Sequence, residues 1–506
     1  MADRPNLLIL MADQLTARVL RAYGGAIART PHIDALADAG VVFESFYCNS
    51  PLCAPSRFSF LAGQLPSKIG AYDNAAEFPA QVPTFAHYLR RAGYQTALAG
   101  KMHFCGPDQL HGFEERLTTD IYPSDFGWTP DWSAFKQRPS WYHSMDSVLQ
   151  AGACTRTNQI DFDDEVVVAA RQKLFDLARS RDRRAFCLVV SMTHPHDPYV
   201  IPHAYWSRYR DEEIDLPRVP DLAGREDPHS RRLRHVIGLD LATPSEAQVR
   251  AARRAYYGAV SYIDDQIGSL VATLKQAALD ANTVTVVLAD HGDMLGERGL
   301  WYKMNFFEPA ARIPLIVHAP GRFAARRVAV PASLLDLLPT FATLAYNGAA
   351  PAYAAPIDGA SLLRALEGSG APSGEVIGEY LAEGAIAPVV MIRRGRYKFV
   401  HSPVDPDQLF DVSADPDERV NLAAQAERAT LVADFRSEVA RRWRLSELHE
   451  AVLASQRRRH FVYAALREGR FTPWDFQPLR DASRLYIRND QPLEYQEDLA
   501  RFPRLA

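Results

Sequence analysis

The stretch Asn6-Leu7-Leu8-Ile9-Leu10-Met11-Ala12-Asp13-Gln14 governs the reading of the whole chain. A short, nearly unbroken apolar run has the pattern of a strand buried on both faces, and a polar pair sits at its carboxyl end. Thr283-Val284-Thr285-Val286-Val287-Leu288-Ala289 repeats the pattern and runs into Asp290-His291-Gly292-Asp293. Ala185 to Ser191 is a third such run, leading into Thr193-His194-Pro195-His196-Asp197-Pro198. Helical periodicity from about Asp161 to Ser180 and from Ser245 to Ala278 separates these runs. Strands alternating with helices predict a doubly wound α/β sheet, and such sheets bind ligands beyond the carboxyl ends of their strands. Asp13-Gln14 and Asp290-His291, far apart in sequence, can thereby meet at one metal ion, the alternative being two unrelated strand-end turns that contain Asp.

The run Cys53-Ala54-Pro55-Ser56-Arg57, followed by Leu61-Ala62-Gly63, is the second informative feature. Cys53 is placed in a turn, with Pro55 in the first turn of a helix continuing through Phe60. A helix N-terminus there would direct free N–H groups at an anion. A buried cysteine packing as a small hydrophobe is the alternative for this position.

Composition narrows the function classes. With 47% hydrophobic and 23% charged residues and a formal net charge of −4, the 506-residue chain has no bias toward nucleic acid or anionic membranes. Its five cysteines are scattered and odd in number, which fits neither a disulfide framework nor a zinc-ligand spacing. Only Met1 to Asn6 precede the first apolar run, and no apolar stretch approaches membrane-spanning length, so a cytoplasmic, bacterial protein is expected. Length alone suggests about three domains. The texture changes near Ser369 to Pro372, where short strands (Val389 to Ile392, Tyr397 to His401, Leu409 to Val412) precede helices from about Asn421. From Phe471 the chain is rich in aromatics and prolines, with little periodicity.

Asp13-Gln14, Cys53 to Arg57, Gly93-Tyr94 through Gly100-Lys101-Met102-His103, Pro195-His196, Asp290-His291 and Lys303 resemble, in order and spacing, the type I, formylglycine-dependent sulfatases. Leu335 to Thr340, Leu409-Phe410-Asp411, Asp415 to Glu418 and Asn421-Leu422 match later motifs of that family. The resemblance covers essentially the whole chain. It implies an α/β fold like that of alkaline phosphatase, a mostly parallel sheet flanked by helices, with a smaller C-terminal α+β subdomain and an extended tail. The expected division is a catalytic domain over 1–368, a subdomain over 369–470 and an oligomer-forming tail over 471–506.

The resemblance also implies roles. A maturation enzyme would oxidise Cys53 to formylglycine, whose hydrate carries two hydroxyls: one attacks the sulfate ester, and the other loses its proton to expel sulfate. Asp13, Gln14, Asp290 and His291, with position 53, would hold one divalent cation, calcium foremost, with manganese or magnesium as alternatives. The family more often has an acid where this chain has Gln14. Arg57 and Lys101 would hold hydroxylate and sulfate oxygens. His103 would take the proton when sulfate leaves, and His196, aided by Lys303, would protonate the departing alcohol. Lys101 and His103 are expected on one side of an extended segment. His194 is the competitor for His196, and the Pro195-His196-x-Pro198 arrangement favours the latter.

Ala71 to Phe78, Asp125 to Trp132, Trp141-Tyr142-His143, Glu379-Tyr380 with Ala382-Glu383-Gly384, and Pro473 to Pro478 resemble the choline-sulfatase branch of the family. The expected activity is hydrolysis of choline-O-sulfate to choline and sulfate. A quaternary ammonium donates no ordinary hydrogen bond and is bound by aromatic faces and carboxylates. Trp128 and Glu383 are the candidates, with Asn74 and His143 as polar walls. Two departures bear on specificity: Pro492 stands at an acidic position of the branch, and Ser144 where asparagine is frequent. A dimer or tetramer is expected, in which the tail reaches a neighbour's pocket with Asp490 or Glu494. Two other readings stay open, a phosphonate monoester or phosphodiester hydrolase and a non-catalytic choline-ester binder whose Cys53 is unconverted.

Overall fold

The computed structural model describes residues 4–479 and 481–500; Met1 to Asp3, Arg480 and the last six positions of the expected tail lie outside the described residues. An eight-stranded sheet forms the centre, in the spatial order Arg326–Val328, Val41–Phe43, Leu315–His318, Thr283–Ala289, Asn6–Ala12, Phe186–Met192, Gln95–Gly100 and Glu115–Arg116. Leu315–His318 runs antiparallel to both its neighbours, and every other pairing is parallel. Leu7 to Met11 are fully buried, as expected of a strand covered on both faces. Truncating one of these leucines to alanine would cost about 2–5 kcal/mol.

Register carries the functional consequence. Ala12 pairs with Ala289 on one side and with Met192 on the other, and Gly100 pairs with Ser191. The residues that follow, Asp13, Asp290, Thr193 and Lys101, therefore leave the sheet side by side at one edge. Helices Asn158–Arg179 and Glu246–Gln276 pack against each other and flank the sheet. Ser245 caps the longer one, its hydroxyl 3.3 Å from Gln248 N. From that helix Tyr256 reaches the first strand's exit, its hydroxyl donating to Gln14 O (2.6 Å) and accepting from Thr16 N (3.0 Å).

Beyond residue 370 a four-stranded antiparallel sheet follows, Glu375–Tyr380, Val389–Arg394, Tyr397–Ser402 and Asp405–Asp411. Helix Ala429–Arg442 lies on it, with Phe435 stacked on Phe399 at 5.2 Å. A buried ion group joins this sheet to the main body: Lys398 Nζ lies 2.8 Å from Glu308 and 2.6 Å from Glu418. Helix Leu445–Arg467 returns to the main body. Among the described residues no helix is long and apolar enough to cross a membrane.

Several local expectations change. Helix formation after Asn421 starts only at Ala429, apart from a short 3-10 turn, Ala426–Arg428. Strand Glu375–Tyr380 is additional. The tail, read as aperiodic, contains a helix, Leu493–Ala500. Cys53 is not in a turn but is the first residue of helix Cys53–Ala62, the preceding Leu52 being extended.

Candidate active site

Four buried groups converge where the strands end. The donor atoms of Asp13, Cys53, Asp290 and His291 all lie within 4.8 Å of one another. Cys53 Sγ is 3.2 Å from His291 Nε2 and 3.9 Å from Asp13 Oδ1, and His291 Nε2 is 3.6 Å from Asp290 Oδ2. Two buried carboxylates this close would repel without cations, and the chain supplies two. Arg57, fully buried, donates from Nε to Asp290 (2.9 Å), from Nη2 to Asp13 (3.1 Å), and from Nη1 to Lys101 O and Ser191 Oγ. Lys101 Nζ pairs with the same Asp13 oxygen. Arg57 thus braces the two carboxylates.

Burial raises the pKa of Asp13, but Lys101, His196 and Arg57 overcome it and bring it down to about 2. Burial likewise works against the Cys53 thiolate, yet Lys101, Lys303 and His291 pull the thiol well below its usual range. The site is built for negative charge at position 53, at the positive end of its helix. Two carboxylates, one imidazole and position 53 form a donor set that fits a divalent cation. Gln14 stands apart from that set: its Oε1 accepts from Lys303 Nζ (2.6 Å), and its Nε2 donates to Asp293 (2.6 Å) and Asp197 (3.3 Å).

Lys303 Nζ also lies 2.9 Å from His196 Nε2, and His196 Nδ1 lies 2.7 Å from Asp197 O. His194 instead turns to Asp163, with Nδ1 2.7 Å from its carboxylate. His103 does not continue an extended segment, as its φ is +61°; Asp120 accepts both the Met102 and His103 N–H groups and fixes this bend. Neither ring nitrogen of His103 has a hydrogen-bond partner among the described residues. Gln14, Tyr302 and Met304 are likewise left-handed, so strained backbone gathers around the convergent side chains.

An aromatic wall stands beside the two histidines. Tyr122 lies 5.1 Å from both the His103 and Trp128 rings, and Trp128 stacks on Trp141 at 6.2 Å. Tyr142 and His143 continue the wall to Tyr302, on which His143 stacks at 4.3 Å. Asp197 accepts from His143 Nδ1 (3.0 Å), while burial lowers that imidazole to about 4. Glu383, 3% exposed, follows strand Glu375–Tyr380, and neither carboxylate oxygen has a partner among the described residues. Burial, with Asp73 adding to it, raises its pKa to about 8. Asn74 Oδ1 accepts from Ala54 N (2.9 Å), so this residue holds the start of the Cys53 helix.

A family profile described as Sulfatase matches residues 5–348, more than half of the chain. The chain belongs to the sulfatase family. Two further profiles match, the C-terminal region of N-sulphoglucosamine sulphohydrolase over 296–444 and the choline sulfatase C terminus over 450–502. The choline-sulfatase of Rhizobium meliloti (strain 1021) is 48% identical over 99% of each chain. An arylsulfatase of Clostridium perfringens is 26% identical, covering 83% of this chain and 90% of its own. Among solved structures, the phosphonate monoester hydrolase of Agrobacterium radiobacter superposes with a TM-score of 0.68 at 24% identity, over 88% of this chain and 96% of its own, a likeness of fold.

Within this sulfatase, Tyr122, Trp141, Asp197 and Asp293 border the site although sequence reasoning assigned them no role. Asp197 and Asp293 carried a usable signal, since each lies within two residues of a singled-out histidine. Tyr122 lies in an irregular segment whose side-chain directions follow no period. Ser144 is exposed and caps Asp146 N (3.1 Å) instead of facing the aromatic wall.

Proposed function

We propose that this sulfatase hydrolyses choline-O-sulfate to choline and inorganic sulfate. The observation that carries the reading is Glu383, a buried carboxylate with no hydrogen-bond partner among the described residues, behind an aromatic wall and next to the convergent cluster. A quaternary ammonium is the ligand such a pocket suits, because it needs charge and π-faces but no acceptor for a hydrogen bond. The 48% identity to a choline-sulfatase supports the same substrate.

Asp13, Asp290, His291 and position 53 would hold the divalent cation, with Gln14 joining only if its amide exchanges Lys303 for the ion. Calcium is the ion the carboxylate oxygens suit, with manganese or magnesium as alternatives, and the imidazole nitrogen is the donor that departs from an all-oxygen calcium site. Bound there, the cation would polarise a sulfate oxygen and favour the attacking hydroxylate. Formylglycine at position 53, made by a maturation enzyme, would supply the paired hydroxyls of the nucleophile.

The chain's own side chains do the rest. Lys101 and Lys303 receive sulfate oxygens as charge-assisted donors. His103, beside position 53, accepts the proton released when sulfate leaves. His196 donates to the departing alcohol oxygen, and Lys303 restores that proton at Nε2. Tyr122, Trp128, Trp141 and His143 exclude water from the alcohol side, and Glu383 balances the ammonium.

A homo-oligomer, dimer or tetramer, completes the proposal. The C-terminal helix and tail present Phe461, Leu479, Tyr486, Ile487 and Leu493 at 66–91% exposure, the kind of apolar surface a second copy covers. Intact-protein mass would test conversion of Cys53 to the aldehyde. Relative turnover of choline-O-sulfate and a phosphonate monoester would test the reaction, and preference for the phosphonate would overturn it.

A further inference from the structure

Arg459 is a buried guanidinium on helix Leu445–Arg467, far in sequence from every residue assigned above. It grips Asp73 with both ends of its fork, Nη1 to Oδ1 and Nη2 to Oδ2, each at 2.6 Å. Nη1 also donates to Thr129 Oγ1 (3.1 Å), and Nε lies 3.2 Å from Ser455 Oγ. Asp73 precedes Asn74, which holds Ala54 beside the nucleophile position, and Thr129 follows Trp128. Neighbours on the same helix face act on the same loops: Gln456 accepts from Trp132 N (3.0 Å), and His460 Nε2 lies 3.2 Å from Pro130 O. The loop that carries Trp128 is irregular, and these side-chain contacts, with the Trp132 Nε1 bond to Ala382 O, contribute to its placement.

We propose that Arg459 is a positioning residue for cation recognition, tying the Asp73–Asn74 loop to the Trp128 loop and pairing the buried Asp73 carboxylate beside the pocket of Glu383. This rests on the cation pocket proposed above. A planar fork is required for the geometric part, because a lysine offers one point of attachment where Arg459 supplies a bidentate pair and a third bond. The electrostatic part follows from the company Glu383 keeps. Asp73, Cys53, Lys303, Tyr142 and Tyr380 are the titratable or charged groups that act on it, and Arg459 offsets the first of them through a direct pair.

The two parts separate experimentally in the full-length, metal-loaded enzyme. Arg459→Lys keeps the charge and loses the fork: it should raise the KM for choline-O-sulfate roughly tenfold, with a clearly smaller loss in kcat/KM for a neutral aryl sulfate. Arg459→Met should in addition move the pH midpoint of tetramethylammonium binding upward, read by tryptophan fluorescence. The paired change Asp73→Asn with Arg459→Met removes both charges, protects against a fold lost to an unpaired buried aspartate, and should bring that midpoint back down. Equal losses on both sulfates in Arg459→Lys, or a midpoint that stays put across all three variants, would overturn the proposal. A wild-type enzyme that does not bind tetramethylammonium would overturn the cation pocket itself and this inference with it, whereas a binding wild type with unaffected variants would overturn the role of Arg459 alone.

Discussion

Lys303 Nζ and His196 Nε2 stand 2.9 Å apart although 107 residues separate them in the chain. Because His196 Nδ1 faces the carbonyl of Asp197 at 2.7 Å, its hydrogen belongs on Nδ1, and Nε2 accepts from the lysine. In the proposed mechanism the proton destined for a leaving alcohol is shared between Lys303 Nζ and His196 Nε2, and Nε2 delivers it when the alcohol oxygen takes the lysine's place. Lys303→Met should slow choline-O-sulfate, whose alkoxide leaves poorly, by about a hundredfold or more. A nitrophenyl sulfate, whose leaving group needs little protonation, should suffer much less. Steady-state kinetics on both esters give the comparison, and equal losses would assign Lys303 to sulfate binding alone.

Position 53 is tested by replacing its side chain. Cys53→Ala should abolish sulfate release with the fold intact by circular dichroism. Cys53→Ser retains one hydroxyl and no second one to expel sulfate, so a sulfated enzyme should accumulate and be visible by intact mass. Turnover by Cys53→Ala near that of the unmodified sequence would remove the nucleophile from its role.

Trp128→Ala and Glu383→Gln address the alcohol side. A desolvated cation–π contact is worth about 2 kcal/mol, which corresponds to roughly thirtyfold in kcat/KM when felt fully in the transition state. That loss should appear with choline-O-sulfate and be small with a neutral aryl sulfate. Parallel losses on both substrates would mean that these residues support only the fold.

The pH response of cation binding has a defined sign. Glu383 is raised to about 8, chiefly by burial, so in the free enzyme its carboxylate forms as the pH climbs through that value. The ammonium binds the ionised form, so the KM for choline-O-sulfate should rise on acidification below about 8, by up to about tenfold per pH unit. Glu383→Gln should flatten this dependence. The same shift makes ionisation unfavourable for folding: the empty enzyme loses stability as pH rises from the usual carboxyl range toward about 8, and a bound cation restores it. Thermal melts with and without tetramethylammonium across that range provide the check.

Truncation after Pro478 tests the tail. In a homo-oligomer whose tail completes a neighbour's pocket, the shortened chain should lose assembly by light scattering and gain KM for choline-O-sulfate. An unchanged assembly with unchanged KM would leave the tail without that role.

Much of the site was legible because the chemistry-bearing residues follow strands. Asp13 and Asp290 end apolar runs, and a parallel register brings such ends together whatever their distance in sequence. Cys53 stood out by its motif, yet its place as the first helical residue depends on an extended Leu52 that no propensity marks. Arg57 shows where pattern stops. Its type announced an anion partner, and only the packing reveals that its partners are the carboxylates beneath the cluster. Gln14 is similar, since an amide can face an ion or a lysine and the choice belongs to Lys303. The aromatic wall was legible in part, through Trp128 and His143, while Tyr122 and Trp141 come from irregular segments where neither a period of two nor of 3.6 sets direction. The helix at Leu493–Ala500 escaped notice because its apolar residues are few, which leaves no stripe to detect.

The buried fork of Arg57 has a bearing on the order in which the mature enzyme is put together. Held by a permanent cation on one side and by Lys101 on the other, the Asp13 and Asp290 carboxylates keep their places before any divalent ion arrives. Ion loading can then follow chain collapse rather than drive it. A chelated enzyme would remain a folded receptacle that can be refilled, and a cell short of the ion would accumulate a dormant, rescuable stock rather than debris.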